Sequence, residues 1–538
     1  MKVHSAISRA LRDNQVATVF GLLGDANMQY ISQFIETGGT FVNAVHEGGA
    51  VSMADGCSRM TGDVSVASVT HGPGVTNTIT ALTEAVRAGS PVLLLTGDTP
   101  PRRDFVQYID LRAVTAVCGA EYRAVLAPEH LVDDIAKALQ YVAITRVPMI
   151  LDIKYDLLNR EVDYAESSFT SRPPGTALPD EDALDAALGI IASANRPVVL
   201  AGLGAVRSGA HDELVALAAR LGAPLATTLL GKDFFRHDPF NLGIFGTLAH
   251  RFAIDSISHA DCVIAFGASL NQYTAAEGSL LTGKAVVHCD IRPSAIGRYS
   301  AVDAAVVGDA KLVAATMLEH LRDADTRPKG FCTERLQKDL DARLPADDYV
   351  DATSETTMDV RTAIVELDRM LPANRAVVTD CGRFMRSPWQ YLHVEEAGSF
   401  QHTVNFGSIG LGIATAIGAA VAHPDRLTVA VAGDGGAMMG LIEFTTAVRE
   451  RLPFVAVILN DGSYGAEYTK LQDAGFDPKH SLITWPEFAD MARSMGGHGI
   501  TVRTKADLED AAALVASGKL PLLIDVKTDP SVGIGILG

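Results

Sequence analysis

Near the C-terminus an apolar run, Leu427-Thr-Val-Ala-Val-Ala432, opens directly into Gly433-Asp434-Gly435-Gly436, and a later run ends in Leu459-Asn460-Asp461-Gly462-Ser463-Tyr464. A glycine-rich turn between strand and helix lets backbone N–H groups approach a diphosphate, and the helix N-terminus adds a favourable dipole. An acid in that turn would hold a hard cation against the phosphates. Mg²⁺ demands near-octahedral oxygen ligation, so a second donor should come from the end of the neighbouring strand, where Asp461 stands 27 residues after Asp434. Gly-Asp-Gly alone is an ordinary tight turn; its spacing and companions make it a candidate site.

A second acid of interest is Glu47, in Val45-His46-Glu47-Gly48-Gly49-Ala50. The residues after it are small and apolar, which suggests a buried helix face. A carboxylate there needs a partner to offset its desolvation. A lone Glu on a helix is otherwise a solvated surface charge.

The elements that must position these groups follow from a recurring pattern. Short apolar runs at 64–69, 92–96, 198–201, 262–266, 427–432 and 454–459 are bounded by turn residues and separated by helical patterns. This alternation predicts α/β architecture: three doubly wound parallel-sheet domains, near 1–165, 180–325 and 355–538. The polar stretches 165–179 and 327–354 read as linkers, and no internal repeat is visible. With 538 residues, 48% apolar and 20% charged, the chain can bury several cores. A net charge of -19 disfavours nucleic acid and anionic lipid as partners. Six scattered cysteines lack the spacing of a zinc site or a disulfide scaffold. No leader and no apolar run long enough to span a membrane is apparent, so a cytoplasmic protein is expected.

The Gly433-Asp434-Gly435 turn, the following Glu443-Phe444-Thr445 and the Asn460-Asp461 pair resemble the diphosphate motif of thiamine-diphosphate enzymes. The resemblance implies that Asp434, Asp461 and the Ser463 carbonyl hold Mg²⁺, with Gly433, Gly435 and Gly436 against the diphosphate. Asp461 stands where the family usually has a second Asn. Its extra charge implies either that Asn460 substitutes or that a nearby cation compensates. Glu47 resembles the family's acid that hydrogen-bonds the aminopyrimidine and favours its imino form, which takes the proton from thiazolium C2. Gly407-Ser408-Ile409-Gly410 resembles the element that grips the pyrimidine, with Ile409 as a wedge and its N–H as donor, and the Gly407 carbonyl as acceptor. Read without the resemblance, it is a glycine-bounded helix start. The acid and the diphosphate turn belong to different domains, and in the family they face each other across two chains. A homodimer is thus the minimum and a homotetramer is implied.

By overall pattern, including His71-Gly-Pro-Gly-Val-Thr-Asn77 and Asp290-Ile-Arg-Pro293, the chain is most similar to the acetolactate synthase group. The resemblance implies a carboligase acting on a 2-oxo acid and an aldehyde or second oxo acid. The pocket residues are mixed. Asp25 and Glu467 resemble acids of 2-oxo acid decarboxylases, Gln107 resembles the pocket Gln of synthases, and His71 replaces a small residue common in synthases. No His-His pair occurs between Pro100 and Asp110. A simple decarboxylase releasing an aldehyde is therefore the alternative, and proton access at the reactive carbon decides between them. Arg383 and Arg386 read as carboxylate holders or as surface arginines. Gly243-Ile-Phe-Gly-Thr247 resembles part of an FAD site, but Ser269-Leu270-Asn271 stands where FAD-binding members carry Arg, so FAD is not expected. A non-catalytic cofactor-binding homologue is the reading from another class, and Glu47 argues against it.

Overall fold

The structure is a computed structural model and describes residues 1–99, 104–168, 178–324 and 330–534. Eighteen strands among these residues form three six-stranded sheets. The first holds β1 (Thr18–Gly21), β2 (Thr40–Asn43), β3 (Ser65–Ser68), β4 (Val92–Thr96), β5 (Glu121–Val125) and β6 (Met149–Ile153), in the order β2-β1-β3-β4-β6-β5. The second holds β7 (Pro197–Ala201), β8 (Leu225–Thr227), β9 (Asn241–Ile244), β10 (Cys262–Phe266), β11 (Ala285–Asp290) and β12 (Ala304–Val307), ordered β12-β11-β10-β7-β8-β9. The third holds β13 (Arg375–Thr379), β14 (Phe400–His402), β15 (Leu427–Gly433), β16 (Phe454–Asn460), β17 (His498–Val502) and β18 (Leu522–Lys527), ordered β14-β13-β15-β16-β18-β17. All six predicted runs are strands. They read as unbroken apolar stretches because helices cover both faces of a parallel sheet.

Counted from its own first strand, the third sheet repeats the order of the first. Each has a topological switch point, between β1 and β3 and between β13 and β15, where ligand crevices form at the carboxyl ends of the strands. The two sheets belong to one compact unit, in which the N-terminal segment packs with Thr353–Met385 and Gln401–Gly533. Its core runs continuously from Val42, Ala50 and Met53 to Ile413, Ile417 and Phe444.

The helices Glu47–Thr61 and Gly412–Ala422 cross in that core at backbone contact. A Cβ on Gly56 would lie 2.0 Å from the Thr415 carbonyl oxygen, and one on Gly418 would lie 1.9 Å from that of Met53. Only glycine permits this approach, which is why two helices from opposite ends of the chain can share one core.

The second unit contains the central sheet and takes in Arg386–Phe400, a segment that follows β13 in sequence. Asp233 accepts from His393 Nδ1 (2.7 Å) and from the Val394 N–H (2.9 Å), and Gln390 donates to the Leu248 carbonyl. Of the two stretches read as linkers, the first lies largely outside the described residues. The second differs from expectation: it carries the helix Glu334–Ala342, capped by the Thr333 hydroxyl, and Leu340 packs on the central core. Its few apolar residues sit at helical spacing among charges, too sparse a pattern to stand out in sequence. All six cysteines are unpaired thiols.

Candidate active site

At the switch point of the third sheet, the chain leaves β15 into the helix Asp434–Gly440, so the acid sits at the helix head. Asp434 is 3% exposed. Its Oδ1 accepts from the Gly435 N–H (2.9 Å), and its Oδ2 from Trp485 Nε1 (2.9 Å) and the Ser463 N–H (3.2 Å). Asp461, just beyond β16, accepts from both the Ser463 N–H (3.0 Å) and its hydroxyl (2.7 Å). Burial, and then the neighbouring Asp461, raise the Asp434 carboxyl to about 7. Two neighbouring acids whose carboxyls are both raised, first of all by burial, are a suitable donor set for a divalent cation. No cluster of three or more His, Cys, Asp or Glu poised for a metal occurs among the described residues. A cation here would complete its shell with backbone, phosphate and water oxygens, as Mg²⁺ does.

Asn460 and Asp461 are separated by their partners. The Asn460 amide donates to buried Asp525 (2.9 Å) and its carbonyl oxygen accepts from the Gly462 N–H (3.2 Å), which holds the side chain in the sheet. A cation does stand beside Asp461: Arg383. It was read as a carboxylate holder or surface residue, but it is only 8% exposed, and its Nη1 lies 3.6 Å from Asp461 Oδ2. The guanidinium is anchored by the Pro530 (2.8 Å) and Val532 carbonyls. Neither partner is near it in sequence, so no local signal marked its burial.

The switch point of the first sheet carries the other candidates. Glu47 begins the helix Glu47–Thr61, whose Gly48 N–H is capped by His46 Nδ1 (3.0 Å). It is half-buried, and Glu47 Oε2 accepts from Asn77 Nδ2 (2.9 Å). His71 is buried, its ring edge-on to Phe105 and Tyr155 and its Nε2 2.8 Å from Gln107 Oε1. The structure thus brings His71 and Gln107 together. Asp25 and Glu467 are both exposed and no hydrogen bond or ion pair joins them within the chain. The search for an adjacent His-His pair falls partly on 100–103, outside the described residues.

The 407–410 loop is positioned by a residue that the sequence did not single out. Asp380, at the end of β13, is fully buried and accepts from the Gly410 N–H (2.8 Å), the Gly412 N–H (3.3 Å) and the Thr403 hydroxyl (3.0 Å). Burial raises its carboxyl, and the hydrogen bonds it accepts from backbone N–H groups and the Thr403 hydroxyl offset only part of that. A Cβ on Gly436 would lie 2.4 Å from Asp380 Oδ2, so one acid spaces the 407–410 loop against the glycine turn 433–436. The loop precedes the helix Gly412–Ala422 instead of starting it, and Gly407 is exposed with φ +81° while Ile409 is half-buried.

A glycine turn with paired buried acids at one switch point and a single acid heading a buried helix at the other are the arrangement of a cofactor enzyme built from two like α/β sheets. The comparisons place it more narrowly. Residues 1–110, 184–318 and 380–526 match the N-terminal TPP binding, central and C-terminal TPP binding domains of thiamine pyrophosphate enzymes. The acetolactate synthase large subunit of Parasynechococcus marenigrum is 30% identical over 97% of this chain and 86% of its own. The sulfoacetaldehyde acetyltransferase of Alcaligenes xylosoxydans xylosoxydans is 30% identical over 91% and 86%. A probable acetolactate synthase large subunit of Methanocaldococcus jannaschii is 27% identical over 99% and 92%. The chain belongs to the thiamine pyrophosphate enzyme family. It is a thiamine-diphosphate-dependent, acetolactate-synthase-like enzyme. Among the described residues no helix is long and apolar enough to cross a membrane.

Proposed function

We propose that the enzyme decarboxylates a 2-oxo acid and joins the remaining fragment to a second carbonyl compound. The observation that carries this choice is the His71–Gln107 contact. A proton donor at the reactive carbon would end the cycle as an aldehyde, and this histidine is instead buried between two aromatic rings and latched to a loop. Asp25 and Glu467, exposed at the strand ends of the two like sheets, favour the second reading, protonation to an aldehyde. In the carboligase reading they serve the acceptor. NMR of carbon products from a panel of 2-oxo acids and acceptor aldehydes separates the two. Hydroxyketones or acetohydroxy acids are expected; aldehyde and CO₂ alone would establish the decarboxylase.

In this reading Asp434, Asp461 and the Ser463 carbonyl hold Mg²⁺, and Gly433, Gly435 and Gly436 line the diphosphate. The inward-facing Asn460 and the Arg383 counter-charge support Asp461 as the ligand. Thiamine diphosphate, when bound, supplies the carbanion-stabilising thiazolium. Glu47 would hold a proton at the pyrimidine, Ile409 would pack as an apolar wedge against the cofactor, and the N–H of Ile409 and carbonyl of Gly407 would hydrogen-bond its pyrimidine. The central domain is structural, without FAD. The working form is a homodimer or homotetramer in which each site takes Glu47 from one chain and Asp434 from another. The exposed apolar side chains Val45, Phe406, Met439, Ile442 and Tyr464 near these residues support a covering partner. The family matches fall inside the proposed domain limits 1–165, 180–325 and 355–538.

Two outcomes follow. Trp485, one of two tryptophans, donates to Asp434, so its fluorescence should change when Mg²⁺ and thiamine diphosphate are added together and revert with a chelator. Asp434→Asn should raise the Mg²⁺ needed for half-saturation by about 100-fold or more, at or above the upper end of the roughly 10–100-fold typical of losing an outer-shell partner. An unchanged requirement would move the metal elsewhere.

A further inference from the structure

Two buried acids outside the roles assigned above, Glu84 and Glu443, make the same contact in opposite directions. Glu443 lies at the end of the turn Leu441–Glu443 that follows the diphosphate helix, and is 2% exposed. Its Oε1 accepts from the Val45 (3.0 Å) and His46 (2.9 Å) N–H groups, the two residues just before Glu47, and Thr446 donates to Oε2 (2.8 Å). Glu84, 1% exposed on the helix Ile79–Ala88, accepts from the Phe406 N–H (2.6 Å), the Asn405 N–H (3.2 Å) and the Asn405 amide (2.7 Å), just before Gly407. The exchange extends to the arginines. Arg59, paired with Asp55 and Glu84, donates to the carbonyl of His402, the last residue of β14. Arg449 donates to the carbonyl of Asn43, the last residue of β2. Each sheet's second strand thus leaves into a loop whose backbone is held by an acid and an arginine, the loop of the third sheet by groups of the N-terminal segment and that of the first sheet by groups of the C-terminal one.

We propose that Glu443 and Glu84 are reciprocal positioning residues: Glu443 sets the height and direction of Glu47, and Glu84 sets the pyrimidine-gripping loop 407–410. A buried carboxylate is kept at such a place only if its lone pairs are filled, and here they are filled mostly by backbone N–H groups of the other sheet's loop. Two N–H groups converging on one carboxylate fix a backbone more tightly than packing alone, because bonds to a charged acceptor are short and directional. The inference rests on the proposed roles of Glu47 and of Gly407 and Ile409.

The test uses the full chain with Mg²⁺ and reads two quantities for each variant: thiamine diphosphate affinity by titration, and hydrogen–deuterium exchange at thiamine C2 in the saturated protein by NMR. Glutamine at 443 can keep one oxygen under both N–H groups, but it loses the charge and sets an NH₂ where Oε2 meets the Val45 N–H (3.2 Å), so Glu443→Gln should slow exchange about tenfold, the equivalent of one hydrogen bond to a charged group, with affinity within about threefold. Glu84→Gln should weaken affinity about tenfold and slow exchange less than Glu443→Gln does. Thr446→Val and Asn405→Ala, which each remove one bond to the same acids, should give smaller effects of the same split if the glutamine variants do not fold. Equal loss of both quantities in both members of a pair, or no change in either, overturns the proposal. Glu47→Gln is the reference: if it leaves exchange fast, the assignment of Glu47 fails; if it stops exchange while Glu443→Gln does not slow it, only the positioning role fails.

Discussion

Glu47→Gln is expected to lower turnover by about 10²–10⁴-fold, the range for removing a positioned acid–base group, while thiamine diphosphate still binds within a few-fold of its normal affinity. Glutamine preserves the shape of the side chain and can still accept from Asn77 Nδ2, so the helix head should stay in place. What it cannot do is hold and return a proton at the pyrimidine. In the proposed site the diphosphate and its cation are held by a different part of the chain, so affinity and turnover should separate. Steady-state rates and a cofactor titration on the same preparation check this. Unchanged turnover would remove Glu47 from the mechanism and revive the non-catalytic homologue.

The second large effect is structural. Gly418→Ala should destabilise the chain by about 3 kcal/mol or more, at or above the upper end of overpacking, although helix propensity alone would stabilise it by about 1 kcal/mol. The added Cβ would sit 1.9 Å from a backbone oxygen of Met53, which no rotamer change can relieve. The helices Glu47–Thr61 and Gly412–Ala422 would have to separate, taking the continuous core and the head of Glu47 with them. Urea unfolding gives the magnitude and, more usefully, the sign. A stabilised variant would mean that the crossing is looser than described.

Much of this site was legible in the residues because its chemistry is local. A glycine turn that leaves a strand and heads a helix is encoded within four positions, and Asp434 and Glu47 each begin the helix that displays them. The predicted strands were legible for a similar reason: burial on both faces demands continuous apolar runs. The surface reading of Arg383 failed because an arginine looks solvent-exposed until the Pro530 and Val532 carbonyls that accept its hydrogen bonds are brought to it by the fold. The helix Glu334–Ala342 was read as a linker because a surface helix with one thin apolar stripe has the composition of a loop.

The sequence by itself determined the cofactor class, the α/β alternation and the acids at the strand ends, since each depends on bonds and spacings within one turn or one strand. The tertiary structure alone decided that the first and third sheets share one strand order, because topology can persist where residue identity has not. It also decided that Asn460 faces Asp525 while Asp461 faces Arg383 and Ser463, and that Glu84 and Glu443 each hold the other sheet's loop. The Glu84 and Glu443 contacts join residues hundreds of positions apart. They carry no periodicity, and only the glycine-lined crossing of two helices brings them within hydrogen-bonding distance.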